Sequence, residues 1–465
     1  MIEPAWWLVV LPAAATPLVY FTRRWGIGAY MAALVSLLTG WLAWNLPPTN
    51  PMRLMGRTFL LDPLTQQTMA LLFVTSAVLF VASWRLQQGW YFPPLGLVVL
   101  SLFAVAGMSR HLGITAVALM LAAIVSLPII QGDEAPPYQG WQGGSIRAAW
   151  RFLAMMLIAL PFVLMAAWRV DAYREDVEHN AAYLAQAALF LAVGIGLWTG
   201  AAPLHGWATA VGAGSPPVAA AFVLIGFPLL ALVTLAHVFA EAAWFTWSIA
   251  AGHWLLLAGL ASAGLGGLFA AVQRNLRATL GYAALFDLGC LLVGMAVRGP
   301  ASDLAFYSGL AIRALGLTLI GIATAVIRLE AGGDALAGLG GAARRLPLAS
   351  AALMVGAFTL TGLPLTAGFP PRWMLLHDLA GLDPRWSWVL VAASLGVAVA
   401  YLRALAAMLG APVAAAPRRH PAAGRWATSG LLVGLTLVSL WLGVLPAALF
   451  DLAARLIQLY PLPPP

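Results

Sequence analysis

No lysine occurs in this chain; all 24 basic residues are arginine. Arginine stays protonated at any physiological pH, whereas a buried lysine loses its proton readily. Any mechanism that needs a titrating ammonium group is therefore closed to this protein. Cysteine is almost as scarce. The single one, Cys290, lies in an apolar segment, so the chain alone cannot build a disulfide framework, a cysteine metal site or an iron–sulfur cluster. Charged residues of both signs make up only 9%, against about a quarter in soluble domains. The net charge of +8 is spread over short loops instead of being massed on one face, which excludes a nucleic-acid surface. The seven histidines are too dispersed for a metal site. No glycine-rich phosphate loop follows a strand, and no nucleophile–base pair suggests a hydrolase. No metal, cofactor or redox centre is expected in this chain.

What is there in abundance is hydrocarbon. Hydrophobic residues are 62% of 465 and the mean hydropathy is +0.90, so the expected class is an all-α polytopic membrane protein in contact with the lipid bilayer. A span of roughly 20 apolar residues crosses the roughly 30 Å hydrocarbon core. Such runs occur near 5–21, 27–46, 64–84, 91–109, 112–131, 150–168, 182–200, 217–240, 246–271, 279–297, 304–328, 348–365 (running on past a break to about 380), 386–409 and 427–449, fourteen in all. Between spans, Arg57-Thr-Phe-Leu-Leu-Asp62 reads as a small hairpin, and the segments 132–149 and 171–178 read as solvent-exposed connections. The twenty Trp read as anchors at the membrane interfaces.

Two of the spans are interrupted. Thr199-Gly-Ala-Ala-Pro203-Leu-His205-Gly-Trp207 precedes a run from Gly206 to Ala236 without one ionisable side chain, broken by Pro216, Pro217 and Pro228. Thr361-Gly362-Leu-Pro364-Leu repeats the Thr-Gly and Pro-Leu pattern and is followed by Gly368-Phe-Pro-Pro-Arg372. Broken helices at membrane depth are tolerated only where protein or a water-filled cavity satisfies the freed backbone, and transporters place ion paths there. One break per half suggests an internal duplication.

Arginine placement sets the orientation. Numbering loops from the N-terminus, fourteen arginines lie on odd loops, nine on even loops and termini, and Arg313 lies within a span. The positive-inside rule puts both termini outside the cytoplasm, which for a bacterial chain means the inner membrane.

These motifs carry a resemblance. Pro203-Leu-His-Gly-Trp207 with Gly214-Ser-Pro-Pro-Val218, Gln273-Arg-Asn-Leu-Arg-Ala-Thr-Leu-Gly-Tyr282, and Gly340-Gly-Ala-Ala-Arg-Arg-Leu-Pro347 leading to Gly362 and Gly368-Phe369 are similar, in order, to the antiporter-like membrane subunits of respiratory complex I (NADH-quinone oxidoreductase). Relatives occur in membrane-bound hydrogenases and multisubunit cation/proton antiporters. The resemblance implies two inverted five-helix repeats, each with a broken helix, and other membrane-arm subunits as partners. It divides the chain into N-terminal helices at 1–90, a first repeat at 91–240 (break near 200–216), a second at 241–410 (break near 362–372) and a last helix at 411–465.

The family's proton path is attributed to a Glu on the fifth helix, lysines on the seventh and eighth, and a Lys or Glu on the twelfth. By the resemblance, the seventh- and eighth-helix positions are Trp198 and Leu229 here, the twelfth is Arg372, and the fifth span holds no carboxylate. The remaining intramembrane polar groups are His205, His237, Asp287, Arg313 and Arg372. His205 is either a proton relay or a cap for carbonyls freed at the break. Asp287 and Arg313 are expected to pair, as a structural lock or as transport groups, because a buried Arg needs a carboxylate or several carbonyls. His237 and His253, near span ends, read as interfacial. Three functions follow: a membrane-arm subunit of a complex I-like, quinone- or hydrogenase-linked assembly; a subunit of a cation/proton antiporter or inorganic-carbon uptake complex; and a structural paralogue with impaired or no pumping.

Overall fold

The computed structural model describes residues 3–47, 51–54, 56–86, 88–132, 144–175, 181–241, 249–297, 299–412 and 425–459. Within them lie α1 (Trp7–Thr22), α2 (Ile27–Asn45), β1 (Met52–Leu54), β2 (Arg57–Phe59), α3 (Pro63–Arg85), α4 (Phe92–Met108), α5 (Leu112–Gln131), α6 (Gly144–Glu175), α7 (Ala181–Thr199), α8 (Gly206–Gly214) and α9 (Pro217–Glu241). They are followed by α10 (Ile249–Val272), α11 (Leu276–Val297), α12 (Pro300–Ala331), α13 (Ala342–Arg345), α14 (Pro347–Thr361), α15 (Phe369–Leu382), α16 (Pro384–Leu409), α17 (Arg425–Val444) and α18 (Ala447–Leu459). The protein is an all-α polytopic membrane protein. Twelve of the described helices are long and apolar enough to span, and α4 and α14 are apolar but shorter. All fourteen coincide with expected spans.

Local chemistry sets the helix ends. Asp62 caps α3 by accepting from the Thr65 amide at 3.3 Å, with Pro63 in the first turn, where its missing N–H costs nothing. Asp383 and Pro384 repeat the device at α16. α4 stops at Met108 because the next residues join the small sheet: Phe59 bridges Ser109, and the Arg110 amide donates to the Thr58 carbonyl at 3.1 Å.

A central trio forms the core. The most apolar stretch of α9 is wholly buried, as is 89% of those in α11 and α12, against 22% in α1 and 17% in α17. Apolar helices gain nothing from hydrophobicity in lipid, so association there rests on close packing of small residues. Gly212 on α8 meets Gly281 on α11 so closely that a Cβ at Gly212 would lie 2.3 Å from the Gly281 Cα.

Four sequence expectations need correction. The hairpin pairs 52–54 with 57–59, and 60–62 leads into α3. The segment at 171–178 is not simply a connection: α6 runs on to Glu175, and Asp171 is held by His111 at 3.2 Å and Arg57 at 3.4 Å (176–180 lie outside the described residues). Much of 132–149 also falls outside them, but α6 begins at Gly144. The chain past 444 forms a further helix, α18, whose Leu449, Ala453 and Leu456 are buried.

Candidate functional site

Both breaks begin with a glycine in the left-handed region, Gly200 (φ 69°) and Gly362 (φ 74°), directly after Thr199 and Thr361. A side chain is disfavoured there, which explains why the Thr-Gly pairs recur. Helix termination leaves carbonyls without N–H partners, and the structure shows what takes them. At the first break Trp207 Nε1 donates to the Leu197 carbonyl at 2.8 Å, and the Ala202 amide donates to Ser262 Oγ on α10 at 2.8 Å. Trp207 thus takes one of the carbonyls freed at the break. His205 keeps to the Pro203 backbone in its own turn, with Nδ1 buried and unpartnered. Across the break, Gln88 Oε1 accepts from the Val218 amide at the start of α9 at 2.9 Å. Pro203, Pro216 and Pro217 frame this break, and Pro364 and Gly368 the second. Thr359 and Ser439 share a hydrogen bond of 2.6 Å, which ties α17 to the end of α14.

The second break aims Arg372 inward. Its guanidinium donates to the Leu360 carbonyl (3.3–3.4 Å) and to Asp287 Oδ1. Leu360 lies four residues before Pro364, which has no N–H to offer it. Arg313 Nη1 donates to the other oxygen of Asp287 at 2.9 Å and to the Ala284 carbonyl at 2.9 Å. Arg313 Nη2 donates to the Leu224 carbonyl at 2.7 Å. Leu224 is the residue four before Pro228, so that proline inside α9 frees the carbonyl that Arg313 uses. The side chains of Asp287, Arg313 and Arg372 are 0%, 1% and 12% exposed. Asp287 lies eleven residues into α11, about 16 Å along its axis, at the middle of that 22-residue helix.

The cluster is thus one carboxylate between two guanidiniums, with three backbone carbonyls completing the shell and a net charge of +1. Neither arginine can release a proton, and each oxygen of Asp287 accepts from an arginine. Such an arrangement holds α9, α11, α12, α14 and α15 together and presents fixed positive charge on the axis.

His237 and His205 stay apart from it. His237 sits near the end of its span, as expected, but is buried there because α3 covers the end of α9; Nε2 lies 3.0 Å from Asp62 Oδ2. His253 is exposed. Arg110 Nη2 contacts the other Asp62 oxygen at 2.7 Å. Burial pushes the Asp62 carboxyl up, but the charge and hydrogen bond of His237, the charge of Arg110 and a hydrogen bond from the Thr65 side chain outweigh it and hold the group well below the usual carboxylate range. Asp62 and Arg110 were missed by the sequence reading, although Asp-Pro before an apolar run is a recognisable helix start. Trp198 and Leu229 are both buried among apolar neighbours. Among the described residues no group of three or more His, Cys, Asp or Glu could hold a metal ion.

The family model for the NADH:quinone oxidoreductase/Mrp antiporter transmembrane region matches residues 165–397. An NADH-quinone oxidoreductase subunit N 2 of Sorangium cellulosum is 30% identical over 58% of this chain and 55% of that protein. Formate hydrogenlyase subunit 3 of Escherichia coli is 30% identical over 48% of this chain and 38% of its own length. The chain spans about half the length of the curated relatives it matches. A chain of the Mrp complex from Dietzia sp. superposes with a TM-score of 0.82 at 18% identity, over 99% of this chain and 98% of that one. A chain of respiratory complex I from Thermus thermophilus gives 0.77 at 21%, over 98% and 99%. At these identities the two superpositions show a shared fold.

Proposed function

The chain belongs to the NADH:quinone oxidoreductase/Mrp antiporter transmembrane family, and from that premise we propose that it is an antiporter-like membrane-arm subunit of a complex I-like, quinone- or hydrogenase-linked assembly. In this reading it braces and couples that assembly and does not carry protons by a lysine route. The observation that carries it is the Arg313–Asp287–Arg372 cluster. A proton relay needs groups that gain and lose protons, and a fixed arginine charge in a narrow path is a barrier to cations and protons. The first half supports the same reading: α9 is buried from Val218 to His237, Leu229 included, and the only polar side chain before His237 in that stretch, Thr234, is spent on the Leu230 carbonyl. The two breaks, one in 91–240 and one in 241–410, then persist because their shapes seat neighbouring helices.

Reconstitution of the purified chain in liposomes tests the claim. Proton uptake at the leak level of empty vesicles is expected. Uptake above leak that is lost in His205→Ala, in protein that still folds, overturns it in favour of a rerouted path through His205, His237 and Asp287. Subunits that copurify from native membranes decide the assembly. Quinone-site and iron–sulfur subunits support the reading, whereas an antiporter or inorganic-carbon partner set supports the alternative, a transporter subunit of that kind, which the scope of the family accommodates. Alkaline phosphatase fused to the C-terminus should be active if both termini face away from the cytoplasm of a bacterial inner membrane.

A further inference from the structure

A pocket of about 300 Å³ lies at one end of the bundle, where the end of α1, the start of α2, the end of α3 and the start of α4 meet. Its polar wall is Arg23, Ser83, Trp84, Gln88 and Trp90. Three observations define what it accepts. First, the lining holds a cation and no carboxylate. Arg85, at the same end of the bundle, is bound to Glu330 at 2.6 Å, whereas Arg23 has no carboxylate partner among the described residues. Second, the Arg23 guanidinium is held in place with N–H groups to spare. It lies 3.5 Å from the ring centroid of Tyr20 and 3.9 Å from that of Trp90, and such contacts are made to the ring face and consume no acceptor. Nη1 donates to the Tyr20 carbonyl at 3.1 Å. Nε and Nη2 have no acceptor among the described residues and are not closed off from the outside. Trp84, 45% exposed, has an indole N–H that is likewise without an acceptor among them. The Gln88 amide is already used at both ends, by the Val218 N–H and the Leu86 carbonyl, so what the wall has left to offer is donors. Third, the pocket sits at membrane-surface level, just past the ends of the spans Pro4–Thr22 and Pro63–Arg85 and at the start of Ile27–Asn45. Phe21 and Trp25, on either side of Arg23, are 75% and 74% exposed, as suits the headgroup zone where aromatic rings concentrate.

We propose that this pocket binds the headgroup of one anionic phospholipid, whose phosphate accepts from Arg23 and from the Trp84 indole while its acyl chains stay in the bilayer. An unpaired cation at headgroup depth, with its donors open, is complementary to that phosphate. A zwitterionic headgroup fits less well, because its ammonium finds no carboxylate in the lining and meets Arg23 instead. The site uses no residue of the central cluster, so it stands whether or not protons cross the protein.

Photo-crosslinking of the full chain in phosphatidylcholine nanodiscs that carry a trace of headgroup-photoreactive phosphatidylglycerol tests this. Mass spectrometry should find the adducts concentrated on residues 19–29 and 83–94. Arg23→Gln should lower their yield about tenfold, the loss expected for a hydrogen bond to a charged group. Arg344→Gln removes an exposed arginine of another loop and should leave the yield unchanged, which separates the pocket from general attraction to a basic surface. Excess unlabelled phosphatidylglycerol should compete, and phosphatidylcholine and inorganic phosphate should not. Adducts spread over the whole membrane surface, an unchanged yield in folded Arg23→Gln, or equal competition by phosphatidylcholine overturns the proposal. Full competition by inorganic phosphate overturns it in favour of a free-anion site. Where Arg23→Gln fails to fold, p-benzoylphenylalanine in place of Trp84 in native membranes decides: capture of an anionic lipid supports the site, and capture of a neighbouring protein overturns it.

Discussion

Replacing Asp287 by Asn removes the only negative charge of the central cluster and leaves its size nearly unchanged. In the wild type the carboxylate meets Arg313 Nη1 at 2.9 Å and also Arg372. At an effective dielectric constant near 20, one contact at that distance is a gross attraction of roughly 6 kcal/mol, most of it offset by the cost of burying the charges. The net effect of removing one partner is set by what remains, which is two guanidiniums, 1% and 12% exposed, facing each other across a neutral amide. Breaking a buried pair in this way costs about 3–5 kcal/mol. The carbonyls of Ala284, Leu224 and Leu360 still solvate the arginines, which favours the lower part of that range. Membrane accumulation and the melting temperature of the purified protein are the assays, and both should fall. Adding Arg372→Gln to Asp287→Asn should recover part of the loss, because the net buried charge returns to +1. Wild-type accumulation and melting of Asp287→Asn would refute the reasoning, and so would a double variant worse than the sum of the two single ones.

Trp207→Phe keeps the ring but leaves the Leu197 carbonyl unpaired at the first break, and chemical denaturation should report a loss of about 1–3 kcal/mol. Gln88→Leu removes the acceptor of the Val218 amide and should cost a similar amount; a double-mutant cycle with Trp207→Phe should be close to additive, since the two caps serve opposite sides of the break. Asp62 supplies the pH dependence. Its folded pKa is lowered, so its contribution is present above the unfolded carboxylate value of about 3.9 and is lost as pH falls below that value towards the lower folded one. Asp62→Asn should destabilise the protein at pH 7 and flatten the acid limb of the stability profile, read from melting temperature against pH.

Hydropathy and backbone punctuation are local properties, and the sequence alone determined what depends on them. The class, the spans and the two Thr-Gly breaks could be read directly, because an apolar run has to cross a bilayer and only glycine sits comfortably at φ near +70°. The Asp287–Arg313 contact was also legible, since an isolated charge in hydrocarbon must find the nearest opposite one. Only the tertiary structure decided the rest. Arg372 joins Asp287 across 85 residues, and His237 meets Asp62 across 175; neither separation carries a periodic signal. Span position put His237 near the end of a helix, but its burial there depends on neighbours, and α9 happens to be the helix that the others surround. The carbonyl freed by Pro228 was visible as a proline in an apolar run, while its acceptance of Arg313 required α9 and α12 to pack together. α18 carries leucines at helical spacing, yet whether such a helix lies on the bundle or in solvent is settled by its packing against α12 and α3.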